Sequence, residues 1–209
     1  MISLNRVNVS IALVWLFHTS AVMGCAMGYC DWFTTKTPLN LLLISLLVIL
    51  DHSPQKPLIL LIPFVMGMTA EWIGVHTGWL FGDYAYGNNL GWKCWEVPLL
   101  IGMNWLIMIY AGNALTSLTR WSRTLRAMCT ALAVTGLDVL MEQVAPQLDF
   151  WRFNDGIVPL TNYGGWMIVS FIAAWLYSGN ENETRPSSLG VHIYFAILFY
   201  FISINILLY

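Results

Sequence analysis

Seven apolar runs, separated by short stretches rich in polar residues, Pro and Gly, leave this 209-residue chain few ways to fold. Their approximate extents are Val9–Cys30, Pro38–Leu50, Leu58–His76, Val97–Leu118, Leu125–Glu142, Gly164–Tyr177 and Leu189–Tyr209. A helix needs roughly 20 apolar residues to cross the hydrocarbon of a bilayer, where backbone polar groups must bond within their own segment. The second run, bounded by Lys36 and Asp51, is short and is expected to tilt or to thin the bilayer locally. Only 10% of the residues are charged and 58% are hydrophobic, whereas a soluble domain carries about 25% charged residues. The expectation is an all-α, polytopic membrane helix bundle of about seven transmembrane helices, forming one integral membrane domain over 1–209.

The first run follows Arg6 and exceeds the roughly 7–15 residues of a signal-peptide core, so it reads as a spanning helix. Seven spans put the termini on opposite sides. With the N-terminus inside, Arg6, Lys56, Arg120, Arg123, Arg126 and Arg185 are cytoplasmic, against Lys36, Lys93 and Arg152 outside. That asymmetry favours N-in and C-out. The segments Thr77–Glu96 and Gln143–Tyr163 then share the outer side. Both are dense in Trp and Tyr, as interfacial anchors are, but they also carry Asp83, Glu96, Asp149 and Asp155. Gly179–Ser188 reads as a flexible polar loop, and no internal repeat is apparent. A net charge of −2 gives no basic footprint, which argues against nucleic acid as a partner.

Three carboxylates, Glu71, Asp138 and Glu142, fall inside the apolar runs. An acid near mid-bilayer costs about 2.5–3.5 kcal/mol on insertion scales and seldom persists without a task. Asp138 and Glu142 are four residues apart and share one helical face. Two acids this close in a low dielectric cannot both ionise cheaply, so their pKa values should separate into one acid and one base. The bland alternative places Glu142 in the headgroup region, paired with Arg152. Glu71 lies among Gly67, Gly74 and Gly78, which suit either close helix packing or a slot for a flat ligand beside the acid.

The remaining candidates are polar or aromatic residues at the helix ends. His76 reads as a rim residue or a catalytic group. Asp83, Tyr84 and Tyr86 lie in an aromatic turn that is either an interfacial belt or the lid of a cleft. Asn154, Asp155 and Asn162 lie in a loop, with Asn162 suited to capping the sixth helix. His18, His52 and His192 are too far apart for a metal-dependent membrane oxygenase. Cys25, Cys30, Cys94 and Cys129 lack the paired spacing of a metal cage, and a Cys30–Cys94 disulfide is conceivable. No lysine in the last run can carry a retinal Schiff base. Walker, GxSxG, HExxH and GxGxxG patterns are absent, so neither a metal nor a cofactor is expected.

Three blocks together resemble the carotenoid biosynthesis membrane proteins, a family that includes the carotenoid 1,2-hydratases and bisanhydrobacterioruberin hydratase. The first runs from Glu71 through Thr77-Gly78 to Phe81-Gly82-Asp83-Tyr84-Ala85-Tyr86. The second is Val97-Pro98-Leu99-Leu100 followed by Trp105. The third runs from Asp138 through Glu142 and Trp151 to Gly156-Ile157-Val158-Pro159-Leu160-Thr161-Asn162-Tyr163-Gly164-Gly165-Trp166. Where the family pattern has a second Asp followed by Pro, this chain has Glu142-Gln143, a carboxylate on a longer arm. The resemblance covers about half of the chain.

It implies cofactor-free addition of water across the terminal 1,2 double bond of an acyclic carotenoid, in a bacterial or archaeal cytoplasmic membrane. Membrane lipid and the carotenoid are then the partners. An acid protonates carbon 2, a tertiary cation forms at carbon 1, and a base delivers water to it. Asp138 or Glu71 is the expected donor, with the other or Glu142 directing the water. Trp72, Tyr84, Tyr86 and Trp166 offer ring faces to the cation. A cyclase or isomerase would use the same protonation. A proton-coupled transporter or receptor, or a structural membrane subunit, would use buried acids without chemistry.

Overall fold

The computed structural model describes residues 5–52, 57–179 and 187–209. Among these, eight α-helices account for most of the chain. They are α1 (Arg6–Ala26), α2 (Cys30–Thr34), α3 (Thr37–Asp51), α4 (Leu61–Thr77), α5 (Leu99–Thr116), α6 (Arg123–Val144), α7 (Leu160–Tyr177) and α8 (Ser188–Leu208). A 3₁₀ turn, Pro57–Leu60, leads into α4. Each of the seven apolar runs therefore contains a long helix. Five of them, α1, α4 with its 3₁₀ lead-in, α5, α6 and α8, are long and apolar enough to cross a membrane. At 15 residues α3 is shorter, as expected of the second run. Lys56 and Arg185, two of the charges used to orient the chain, lie outside the described residues, as does most of the Gly179–Ser188 loop.

Helix α5 is the axis of the bundle, with α3, α4, α6, α7 and α8 packed around it. It is apolar on every side, as a helix enclosed on all sides must be. Its side chains from Trp105 to Ala114 are all buried. Helix α1 packs on α8 and is otherwise largely exposed, with Trp15 Nε1 donating to His192 Nδ1 at 3.1 Å. The first run is also broken earlier than its composition suggests. Helix α1 ends at Ala26, and a Cys25–Cys30 disulfide joins that end to α2. Cys30 thus pairs with Cys25 rather than with Cys94, which is free.

Four short strands depart from an all-helical reading. β1 (Tyr84–Tyr86) pairs antiparallel with β4 (Trp151–Phe153), and β2 (Lys93–Cys94) with β3 (Val97–Pro98). Val97-Pro98 is therefore strand, and the helix of the fourth run begins at Leu99. The β1–β4 register sets Tyr84 opposite Phe153 and Tyr86 opposite Trp151. Alternate residues of a strand share a face, so all four rings lie on the buried side while Ala85 and Arg152 face out. Asp149 ties the two loops together: its Oδ2 accepts from the Asn88 amide and its carbonyl from the Asn89 amide.

The strand pair closes the end of the bundle where α4 and α6 finish and α5 and α7 start. The glycines of α4 set how closely the neighbouring rings approach. A Cβ on Gly67 would lie 2.2 Å from Trp105 Cγ, and one on Gly74 would lie 2.9 Å from the Tyr84 hydroxyl. Their space is filled by the protein's own rings, which settles the choice between packing and a ligand slot in favour of packing. Gly67→Ala is expected to lower the unfolding temperature in detergent, at a cost of about 1–3 kcal/mol for overpacking. Gly136→Ala, whose Cβ would meet nothing within 4 Å, should leave it unchanged or raise it.

Candidate active site

Glu71 sits on α4 about 9 Å, six residues of helical rise, from the Thr77 end. It is 3% exposed and fully partnered. The Tyr84 and Tyr86 hydroxyls both donate to its Oε2 at 2.5 Å, and Trp105 Nε1 donates to Oε1 at 2.8 Å. Oε2 thus accepts two hydrogen bonds, while Oε1 accepts one and keeps a lone pair. Burial, and then the neighbouring Glu71 carboxyl, hold both phenols protonated well above the usual tyrosine range.

Asp138 and Glu142 share a second arrangement, built around one amide. Asn162 Nδ2 donates to Asp138 Oδ2 and to Glu142 Oε1, each at 2.9 Å. Trp151 Nε1 donates to Glu142 Oε2 at 2.9 Å. Asp138 Oδ1 is buried with no hydrogen-bond partner. Glu142 is thus buried and bonded to Trp151, not paired with Arg152, which faces out on β4. Asn162 does not cap its helix, whose N-cap is Pro159; its side chain serves the carboxylates instead.

Between the two arrangements lies a small gap of about 10 Å³, walled by Glu71, Tyr84, Tyr86, Glu142, Asn162 and Trp166 together with Phe81, Ile101, Trp151 and Phe153. This is about the space that one buried water requires. Asp138 is not among its walls. Trp166 stacks on Trp105 with ring centroids 4.1 Å apart, so the gap is mainly aromatic with acids at two sides.

Beyond Ile101 and Trp151 a larger cleft begins, and these two side chains line both spaces. The cleft holds about 570 Å³ between α1, α3, α5 and α8, with Met141, Phe150 and Trp151 in its wall. Its lining is mostly aliphatic and aromatic. The exposed Leu16, Phe17 and Leu39 lie along its rim, on the outward faces of α1 and α3.

A family model for carotenoid biosynthesis proteins matches residues 13–209. The chain belongs to the carotenoid biosynthesis protein family. It is 28% identical over 120 residues to the bisanhydrobacterioruberin hydratase of Haloarcula japonica, a match covering 51% of this chain. The matched part is 39% of that relative's length, about two fifths of it. No solved structure matches the chain.

Of the residues singled out in this family member's sequence, the structure brings together Glu71, Tyr84, Tyr86, Asp138, Glu142, Asn162 and Trp166. It does not bring Trp72, His76, Asp83, Asn154 or Asp155 to the gap. Trp72 Nε1 donates to the Cys94 carbonyl, and its ring lies beside Trp95. His76 is exposed, with Nδ1 against the Trp72 carbonyl at 2.9 Å. Asp83, Asn154 and Asp155 are exposed on the loops that flank β1 and β4. Trp105, Trp151, Phe81, Phe153 and Ile101 belong to the site without having been assigned to it. For Trp105 and Trp151 a signal existed, because a buried acid needs donors and an indole is a donor compatible with apolar surroundings. Removing the amide shared by Asp138 and Glu142 should cost about 1–3 kcal/mol. Asn162→Leu is therefore expected to lower the unfolding temperature clearly, whereas Thr161→Leu, on the exposed side of the same turn, should not.

Proposed function

We propose that this protein adds water across the terminal double bond of an acyclic carotenoid. The observation that carries this reading is the one-water gap between Glu71 and Glu142, which shares the Ile101 and Trp151 side chains with a large apolar cleft. Family membership supplies the substrate class, and the hydratase name of the haloarchaeal relative supports the reaction type. A polyene enters from the lipid through the α1–α3 side of the cleft and lies along its apolar wall. Its end group reaches the gap when the Ile101 and Trp151 side chains move aside.

The Asp138–Glu142 pair holds one proton, with Asn162 clamping the two carboxyl groups. Glu142 lines the gap and Asp138 does not, so Glu142 delivers the proton to carbon 2, and Asp138 acts as a positioning residue behind it. This shifts the donor from Asp138 or Glu71, the sequence expectation, to Glu142. The new C–H bond leaves a tertiary cation at carbon 1, steadied by the ring faces of Trp166, Tyr86 and Phe153. The gap water attacks carbon 1 and loses a proton to Glu71. Return of that proton across the gap to Glu142 restores the starting state, so alkene and water give alcohol with no net proton change. Oε1 of Glu71, which accepts only from Trp105, has a lone pair left to take that proton.

The topology consistent with this chemistry has seven spans with the N-terminus inside, which puts the lidded end of the bundle and its acids near the outer face. The test is expression in a lycopene-producing bacterium followed by mass analysis of the pigments. Product heavier by one water per modified end is expected. An isomer of unchanged mass would instead indicate cyclisation, and unaltered lycopene would contradict the proposal. Glu142→Gln and Glu71→Gln should each lower hydrated product at least 100-fold, the lower range for loss of a general acid or base. Full activity in both variants, with normal protein levels, would rule out these roles.

A further inference from the structure

The cleft has a floor, and its depth can be read along the helices that line it. On α3 the lining runs from Lys36 to Ile44, about 12 Å of helical rise. On α5 it runs from Ile101 to Ile107, about 9 Å. Leu90, Phe150 and Trp151 line its lidded end. At the opposite end His18, Ile44, Ile107 and Ile197 are in its wall. One turn further from the lid, on the same face of each of these helices, stand Val14, Val48, Ala111 and Ile193. None of these four lines the cleft; each is at most 1% exposed, and all belong to one packed core. The way out is sideways, past the exposed Leu16, Phe17 and Leu39.

An acyclic carotenoid is about as long as the hydrocarbon of a bilayer is thick, roughly 30 Å. Conjugation keeps its central part straight, so it cannot coil into a shorter space. With one end group in the gap, a cleft about 12 Å deep takes half of the molecule at most, and the rest lies in lipid. The acids lie at the lidded end, so the second end group meets none of them.

Resting on the reading of the cleft as a polyene site, we infer that the protein hydrates one end of its substrate per binding event and releases it before the other end can react. A carotenoid with two acyclic ends is then hydrated in two separate visits. The first adds one water across one terminal double bond, and the monohydroxy carotenoid returns to the lipid. That alcohol is the substrate of the second visit, which it enters reversed. Its hydroxyl then lies outside the cleft and is not sensed, so its remaining acyclic end reacts as readily as either end of the parent hydrocarbon.

The experiment is a label-dilution assay on the full chain in proteoliposomes. Carbon-13-labelled lycopene is supplied together with an excess of unlabelled 1-hydroxy-1,2-dihydrolycopene, its monohydrated product, and the pigments are followed over time by mass spectrometry. Labelled monohydroxy product is expected from the start. Labelled dihydroxy product should appear only after a lag, in step with the labelled fraction of the monohydroxy pool. The added alcohol, with one acyclic end instead of two, should be hydrated with about half the kcat/KM of lycopene. Labelled dihydroxy product formed from the outset would overturn the inference. So would failure to hydrate the added alcohol while lycopene is hydrated. Both results leave the hydratase reading intact, whereas absence of any hydrated product would overturn that reading and the inference together.

Discussion

Everything at the lidded end of this bundle depends on giving three buried carboxyl groups hydrogen-bond donors without admitting bulk water. Unpaired acids in a low-dielectric interior are too costly to keep. Here the donors are Tyr, Trp and Asn side chains, which are apolar enough to pack among helices and carry their polar atoms at the tips. Among the described residues, no Arg or Lys side chain bonds either acid arrangement. In the proposed reaction this leaves the acids' protons and charge for the ligand, instead of being neutralised by fixed counter-ions.

That requirement explains the local architecture. β1 and β4 are only three residues each, yet their alternation turns four rings onto the acids and keeps Ala85 and Arg152 outside. Gly67 and Gly74 let Trp105 and Tyr84 come close enough to α4 to reach Glu71. The i, i+4 spacing on α6 sets Asp138 and Glu142 one turn apart, within reach of a single Asn162 amide. The indole of Trp151 bonds Glu142 while its ring closes the cleft. One side chain thus links the acid's environment to the boundary between gap and cleft, which a hydrocarbon would cross in the proposed reaction.

Much of this was legible in the chain. The apolar runs located the long helices, and the expense of intramembrane acids singled out Glu71, Asp138 and Glu142 before any fold was known. The Tyr84–Tyr86 alternation pointed to a lid without distinguishing it from an interfacial belt, because a three-residue strand has no signal apart from its partner 65 or more residues away. Asn162 looked like a helix cap because local pattern favours that role, whereas its actual partners lie on another helix. The glycines on α4 suggested a ligand slot because sequence cannot show which neighbouring ring fills the space. His76, Asp83, Asn154 and Asp155 were near the acids along the chain but not in space. Ile101, which lines both cleft and gap, is chemically silent and no sequence pattern could have marked it.

The central claim is that a carboxyl proton is delivered to a carbon of the polyene and that water then captures the cation. The most direct measurement is isotopic: the purified protein in lipid, given lycopene in D₂O, with the product analysed by mass spectrometry and NMR. The account predicts one deuterium at carbon 2 for every hydroxyl at carbon 1. A hydroxylated product with no deuterium at carbon 2 would contradict it.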